Sequence, residues 1–417
     1  MNNGLLFRID GISLLIYILL VCFGLVNIYS AGYTEEMVSF WDLNTPVGKQ
    51  FCFFVVSLSF MPLILLIKPN FFEHLSYVFY GLSILSLIGL FLFGQKISGA
   101  TSWYNYGGFG FQPSEFAKIT TSLVIAMNLS SMQSDIKSRR TVARLVLFIA
   151  LPILLILLQP DAGSALVFMG LFFVLIREGL DLRIFYFGLG MILIFILTLL
   201  FDPLWVCIGA LVLILFSYWI IKNNQQRTRR TPFFFVLGLC VLYSYSVNFI
   251  FHSVFEQRHR DRFNIILGLD TDTKGIGYNI NQSKIAIGSG GFSGKGFLNG
   301  TQTKGGFVPE QHTDYIFSTI GEEWGFLGSS TLILLFTVLI LRVIYRAEKH
   351  TSIYPRVYSY AFASIVFVHF FVNIGMTLGL VPTVGIPLPF ISYGGSSLLA
   401  FSLMFFIYLN FDANRLS

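Results

Sequence analysis

Charge is scarce in this sequence. Asp, Glu, Lys and Arg together make up 12% of its 417 residues, against about 25% in a typical soluble domain. With 55% hydrophobic residues and a mean hydropathy of +0.74, that shortfall excludes a soluble enzyme and points to a polytopic membrane protein. Cysteine is scarce too. Cys22, Cys52, Cys207 and Cys240 all fall in apolar segments without metal-ligand spacing, so they read as packing residues, neither disulfides nor ligands. No Walker or dinucleotide-binding glycine pattern occurs. The net charge of +6 gathers in no basic arm, which sets nucleic acid aside. No cleavable signal peptide is expected, because the first apolar run is too long and lacks a small-residue cleavage site.

Apolar sequence is what the chain has in abundance. Twelve runs approach the roughly 20 residues a spanning helix needs: 11–31, 47–67, 75–95, 114–131, 142–158, 163–178, 184–201, 203–221, 233–254, 324–346, 357–380 and 390–411. The expected fold is therefore an all-α polytopic membrane protein of about twelve helices, one membrane domain over 1–417. Its one large loop, 255–323, separates the ninth run from the tenth. With this count the basic residues collect in the loops of one side, including Arg8, Lys137, Arg139, Arg140, Arg227, Arg229, Arg230, Arg342 and Arg346. The short loops of the other side hold only Lys49, Lys96 and Lys118. The basic side and both termini are expected in the cytoplasm, and 255–323 outside.

The few charges that remain are clustered. Between Phe307 and Gly325 lie Glu310, His312, Asp314, Glu322 and Glu323. A solvated loop ending a helix would explain such a group. A proton-transferring site is the alternative, and Asp314 is its focus because it runs straight into apolar sequence, where partial desolvation raises a carboxyl towards the range of a base. Two more outward-side motifs carry charge. Gln112-Pro113-Ser114-Glu115 reads as a helix start with its acid favoured by the dipole; Lys118 shares that face one turn deeper, and an intramembrane ionisable pair is a functional candidate. Gln159-Pro160-Asp161 reads as ordinary turn chemistry. The stretch from Gly288 to Gly306, with Lys295 and Lys304, suits either a phosphate cradle or mere tight turns. Near the end, Pro382, Pro387 and Pro389 break a helix before Ser392. Freed backbone groups at that depth must line a cavity or be buried in protein.

These motifs stand in the order of a known family. Gly99-Ala100 with Trp103, Gln112-Pro113-Ser114-Glu115, Gln159-Pro160-Asp161, Asn281-Gln282-Ser283, Gly300-Thr301-Gln302-Thr303, Pro309 to Asp314, Gly321-Glu322-Glu323 and Pro387 to Gly395 together resemble the SEDS family of membrane glycosyltransferases over nearly the whole chain. The Gly-Thr-Gln-Thr stretch resembles its elongation branch more than its division branch. Tyr315, where phenylalanine is common, and Ser164, where threonine is common, depart from the pattern. The family usually has ten spans, so 184–221 reads as an extra hairpin. The resemblance implies that Asp314 is the catalytic carboxylate. The cavity would be lined by Glu115, Lys118, Gln112, Ser114, Asp161, Glu310, His312 and Ser392, and the substrates would be lipid II and a growing undecaprenyl-diphosphate glycan. Lys118, Lys295, Lys304 or a divalent cation (Mg2+ or Mn2+) would meet leaving-group charge, with no organic cofactor. A class B penicillin-binding protein would be the partner and the bacterial cytoplasmic membrane the location. Two rivals stand beside this reading: a transporter that flips the lipid-linked precursor, for which broken helices also suit, and a non-catalytic scaffold for wall synthesis.

Overall fold

The computed structural model describes residues 9–33, 42–43, 45–97, 99–106, 109–131, 138–223, 231–253, 255, 257–269 and 276–415; Arg8, Lys137, Arg227, Arg229 and Arg230 lie outside them. Helices dominate: α1 (Gly11–Ala31), α2 (Pro46–Leu66), α3 (Pro69–Phe93), α4 (Pro113–Ser131), α5 (Arg139–Leu157), α6 (Ala162–Val167), α7 (Leu171–Arg177), α8 (Leu182–Leu200), α9 (Pro203–Asn223) and α10 (Thr231–Ser253). They continue with α11 (Gln257–Ile266), α12 (Ile276–Ser289), α13 (Thr301–Lys304), α14 (Ile316–Ala347), α15 (Ile353–Thr377) and α16 (Gly395–Ala413).

Among the described residues, nine helices are long and apolar enough to cross a membrane. The other three expected runs are helical as well. The segment 162–177 is brief, α9 covers the run expected at 203–221, and α4 is diluted by Glu115, Lys118 and Asn128. Proline at the first turn starts α2, α3 and α4, where its missing N–H costs nothing. One expectation needs extending. α14 breaks at Gly325 (φ 62, ψ -154), so the run placed at 324–346 is its second part, and a short helix from Ile316, not expected, precedes it and carries Glu322 and Glu323.

The stretch before α4, which holds Gly99-Ala100 and Trp103, adds a strand element to the helices. It is a three-stranded antiparallel sheet, β1 (Gln95–Ile97), β2 (Ala100–Tyr106) and β3 (Phe109–Phe111), with Gln95 opposite Trp103 and Tyr104 opposite Phe111. Aromatic and β-branched side chains favour that pleated surface. The cysteines differ too: Cys22 and Cys52 sit on exposed helix faces, not in the core.

Contacts divide the chain into two units, Met1–Leu180 with Asn279–Ser417, and Asp181–Tyr278. In the first, α15 is the pillar. It packs against α4, α7, α14 and α16, and α16 packs on α2. An aromatic cluster fills the centre: Tyr17 stacks on Phe405 at 5.0 Å and meets Phe390 edge-on at 5.2 Å, while its hydroxyl pairs with Ser402 at 2.8 Å. In the second unit, α10 packs on α8 and α9. A Thr198–Ser244 hydroxyl pair at 2.9 Å is its buried polar tie, and Phe263 of α11 meets Phe195 and Phe251.

Where the described chain begins and ends, the first unit closes on an ionic cluster. Asp10, preceding α1, accepts from Ser13 (2.6 Å) and from Arg342 Nη2 (2.6 Å) and Nε (2.8 Å). Burial pushes its carboxyl up, but Arg342 and Ser13 outweigh that and hold it below the usual range. Arg346 binds Asp412. Arg342 and Arg346, read from sequence as loop charges, are thus spent inside the protein. His350, buried in the α14–α15 turn, has no partner for its Nε2 among the described residues. Burial, then Arg415 and Arg346, push it down to about 4. A histidine with a depressed folded pKa costs nothing above its ordinary value of about 6.5, where both states are neutral. Below that the unfolded chain takes the proton first, so stability falls from about pH 6.5 to about pH 4. Melting followed in detergent should show a lower Tm at pH 5 than at pH 7.5. His350→Asn should flatten this difference; an unchanged pH dependence would show that other groups set it.

Candidate active site

The site is assembled on the irregular segment between α15 and α16, residues 378–394. Two polar residues of α15, one turn apart and buried, organise it. Asn373 Nδ2 donates to the backbone carbonyls of Asp314 (2.9 Å) and Ile386 (2.7 Å). His369 Nδ1 lies 3.0 Å from the Pro387 carbonyl. A carbonyl only accepts, so Nδ1 carries the proton and Nε2 presents its lone pair. That lone pair faces Lys118 Nζ at 2.9 Å. Lys118 also donates to Glu115 Oε1 at 2.8 Å, both residues being 2% exposed. The Phe401 ring closes over the ammonium at 4.8 Å. The packing here leaves no space the size of a water molecule, so the pair is sealed inside the protein.

Asp314 sits in the turn that leads into α14. Three contacts besides Asn373 hold this turn. Ser392 Oγ donates to Thr313 O (2.6 Å), Tyr393 N donates to His312 O (2.8 Å), and Gln311 Nε2 donates to Ala31 O (2.7 Å). Gln50 braces the other side, donating to Ser392 O (3.1 Å) and accepting from Gly394 N (3.0 Å). Glu310 and Phe390 adopt left-handed backbone, φ 55 and φ 66. Non-glycine residues there are strained and persist only where their surroundings over-determine them. The Asp314 carboxylate is half-buried, and Gly385, itself at φ 70, lets the loop pass beside it: a Cβ there would stand 3.4 Å from Oδ2. Glu310 is exposed and accepts from Thr313 Oγ1 at 2.9 Å. His312 is half-buried; burial lowers its pKa against the pull of Glu310, leaving it neutral at pH 7.

A third polar group adjoins the same segment. Asp161 caps α6, accepting from Ser164 N (3.0 Å) and Oγ (2.9 Å), with Gln112 Nε2 at 3.3 Å. Ser114 Oγ lies 3.4 Å from Ser164 Oγ, and Gln112 N donates to Ser396 Oγ at 3.1 Å. At Gly163 a Cβ would come within 2.2 Å of Val384 O, so glycine is what lets α6 approach.

Asp314, Glu310, His312, Ser392, Gln112, Ser114, Asp161, Glu115 and Lys118 therefore all gather on or beside one segment. Lys295 and Lys304 do not. Lys295 binds Glu322 at 2.7 Å, and Lys304 is exposed with its ammonium 5.1 Å over the Tyr33 ring. The Gly-Thr-Gln-Thr amides cradle an anion, but that anion is Glu322, which accepts from the N–H groups of Thr301 (2.8 Å), Gln302 (2.9 Å) and Thr303 (2.9 Å). The glycines upstream serve close packing: a Cβ at Gly290 would stand 2.0 Å from Gly321 O. Among the described residues no three of His, Cys, Asp or Glu converge to hold a metal. Sequence reasoning passed over His369, Asn373 and Gln50. The signal was there for two of them: a His and an Asn four apart in an otherwise apolar span share one face.

The arrangement is that of a membrane-embedded site with a half-solvated acid at its rim and a sealed charge pair behind it. The family model described as cell cycle protein, FtsW/RodA/SpoVE, matches residues 11–229 and 210–416, and the chain belongs to that family. It is 32% identical over 409 residues to the peptidoglycan glycosyltransferase MrdB of Escherichia coli K12, covering 98% of this chain and 94% of that protein. It is 32% identical over 440 residues to the peptidoglycan glycosyltransferase RodA of Treponema pallidum, covering 98% and 100%. Among solved structures it resembles a chain from work on the structural coordination of polymerization and crosslinking by a peptidoglycan synthase complex. The TM-score is 0.72 at 25% identity, with 98% and 99% covered. The fold also matches the crystal structure of Thermus thermophilus RodA (TM-score 0.63, 24% identity, 98% of each chain).

Proposed function

We propose that this chain, a peptidoglycan glycosyltransferase, polymerises lipid II into glycan strands with Asp314 as general base. The observation that carries the assignment is the pinning of Asp314: its backbone is fixed by Asn373 and its turn by Ser392, while its carboxylate stays half-exposed beside Gly385. A base must be held in place yet reachable by substrate. Asp314 takes the proton of the acceptor sugar's 4-hydroxyl as that oxygen bonds to the anomeric carbon of the growing chain. The bond from that carbon to the diphosphate oxygen breaks on the opposite face, inverting the centre, and undecaprenyl diphosphate departs with the electron pair. The loop charges support a site on the outer face of a bacterial cytoplasmic membrane, with both termini in the cytoplasm. The Gly-Thr-Gln-Thr stretch supports a role in elongation. The synthase complex among the structural neighbours supports a class B penicillin-binding protein as partner.

A lipid-linked precursor transporter would need a passage reachable from both sides. The intramembrane pair that would serve it is sealed by Phe401 and His369, which favours the polymerase. The purified full chain, reconstituted with lipid II, should produce glycan strands without any flipping step. Lipid II translocation with no polymer would overturn the assignment.

A further inference from the structure

The reaction proposed above expels a diphosphate, and the acceptor carries another. Charge of that density needs a preorganised cation, and this part rests on the polymerase reading. Two of the three lysines singled out in the sequence are already committed: Lys118 to Glu115 and His369, and Lys295 to Glu322. Another lysine is placed differently. Lys284 of α12 is exposed, and among the described residues no carboxylate pairs with it. Its side chain is nonetheless laid down in a defined place. A Cβ on Gly379 would come within 2.6 Å of both its Cε and Nζ, so the ammonium rests on that glycine. Gly379, at φ 70, opens the segment in which Gly385 lies beside Asp314 Oδ2.

The helix that bears Lys284 is locked to the same machinery. Ser283 Oγ lies 2.6 Å from Ser318 Oγ, one turn beyond Asp314, and donates to Thr377 O at 2.8 Å. At Gly321 a Cβ would meet Ile287 at 2.8 Å. Lys284 and Asp314 thus lie against two glycines of one segment, Gly379 and Gly385, a cation at one and a carboxylate at the other. We propose that Lys284 and the Gly379 turn form a diphosphate-binding subsite for one of the two lipid-linked substrates.

The test is binding, so that it does not depend on turnover. The full chain in detergent micelles is titrated with undecaprenyl diphosphate and with undecaprenyl monophosphate. Wild type should prefer the diphosphate. Lys284→Gln should weaken diphosphate binding about tenfold or more, the scale of losing one hydrogen bond to a charged group, and leave the monophosphate nearly unchanged. Lys284→Arg should recover most of the difference. Asp314→Asn should bind diphosphate as wild type does, which separates this subsite from the base: a failure of Asp314 as base would leave the binding result standing. Equal diphosphate binding by wild type and a well-folded Lys284→Gln protein would overturn the proposal. So would a lowered Tm with equal loss of both lipids, since that would make Lys284 only a cap on the C-terminus of α15.

Discussion

Asp314→Asn should fold and insert normally and lose polymerisation by about 10²–10⁴-fold, the usual contribution of a general base. The substitution keeps volume and shape. The contacts that hold the turn run to backbone atoms, from Asn373 to Asp314 O, from Ser392 to Thr313 O and from Tyr393 to His312 O, so none of them depends on the carboxylate. The loss should therefore appear in kcat, with lipid II binding and Tm close to wild type. Asp314→Glu carries the same group one methylene further and should recover part of the rate. Single-turnover formation of the first glycosidic bond, compared with lipid II binding, is the measurement. Near-normal strand synthesis by well-folded Asp314→Asn protein would remove Asp314 from the mechanism.

Much of this was legible in the sequence because hydropathy and motif order speak directly to a membrane chain. The apolar runs located the helices, and Asp314, Glu115, Lys118, Asp161 and Ser392 all stand beside the segment between α15 and α16. What stayed hidden depended on partners distant in sequence. Glu322 and Glu323 look like the end of a loop until Thr301–Thr303 and Ser30 are brought to them; only then does a short helix from Ile316 form ahead of the break at Gly325. Lys295 looks available for phosphate until Glu322 claims it. The glycines from Gly288 to Gly306 were equally compatible with cradling a ligand or packing closely, and the backbone of α14 at Gly321 decides for packing at Gly290. The small sheet at 95–111 escaped notice because Gly, Trp and Tyr in a short stretch signal turns as readily as strands.

The second large effect concerns Glu115, Lys118 and His369. All three are buried, and the ammonium is shared between a carboxylate and the imidazole lone pair. Removing one partner of a buried ion pair leaves the other uncompensated, at a cost of about 3–5 kcal/mol. Lys118→Ala should be the worst of the single changes. It abandons the Glu115 carboxylate, whose Oε2 already lacks a partner among the described residues, and leaves His369 Nε2 facing nothing. Glu115→Ala should cost less, because His369 still accepts from the ammonium. The double change Glu115→Ala with Lys118→Ala removes both charges and should cost less than the sum of the two, since neighbours in one network do not add. His369→Gln tests the reach of the pair. It loses the contact with Pro387 O or the one with Lys118, so its damage should pass through the loop to Asp314 and appear as a lower kcat at unchanged lipid II binding. Tm and single-turnover rate on wild type and the four variants give the Glu115–Lys118 cycle and the His369 comparison. Strictly additive losses would mean that Glu115 and Lys118 act independently, and a His369→Gln protein with normal kcat would confine the pair to a structural role.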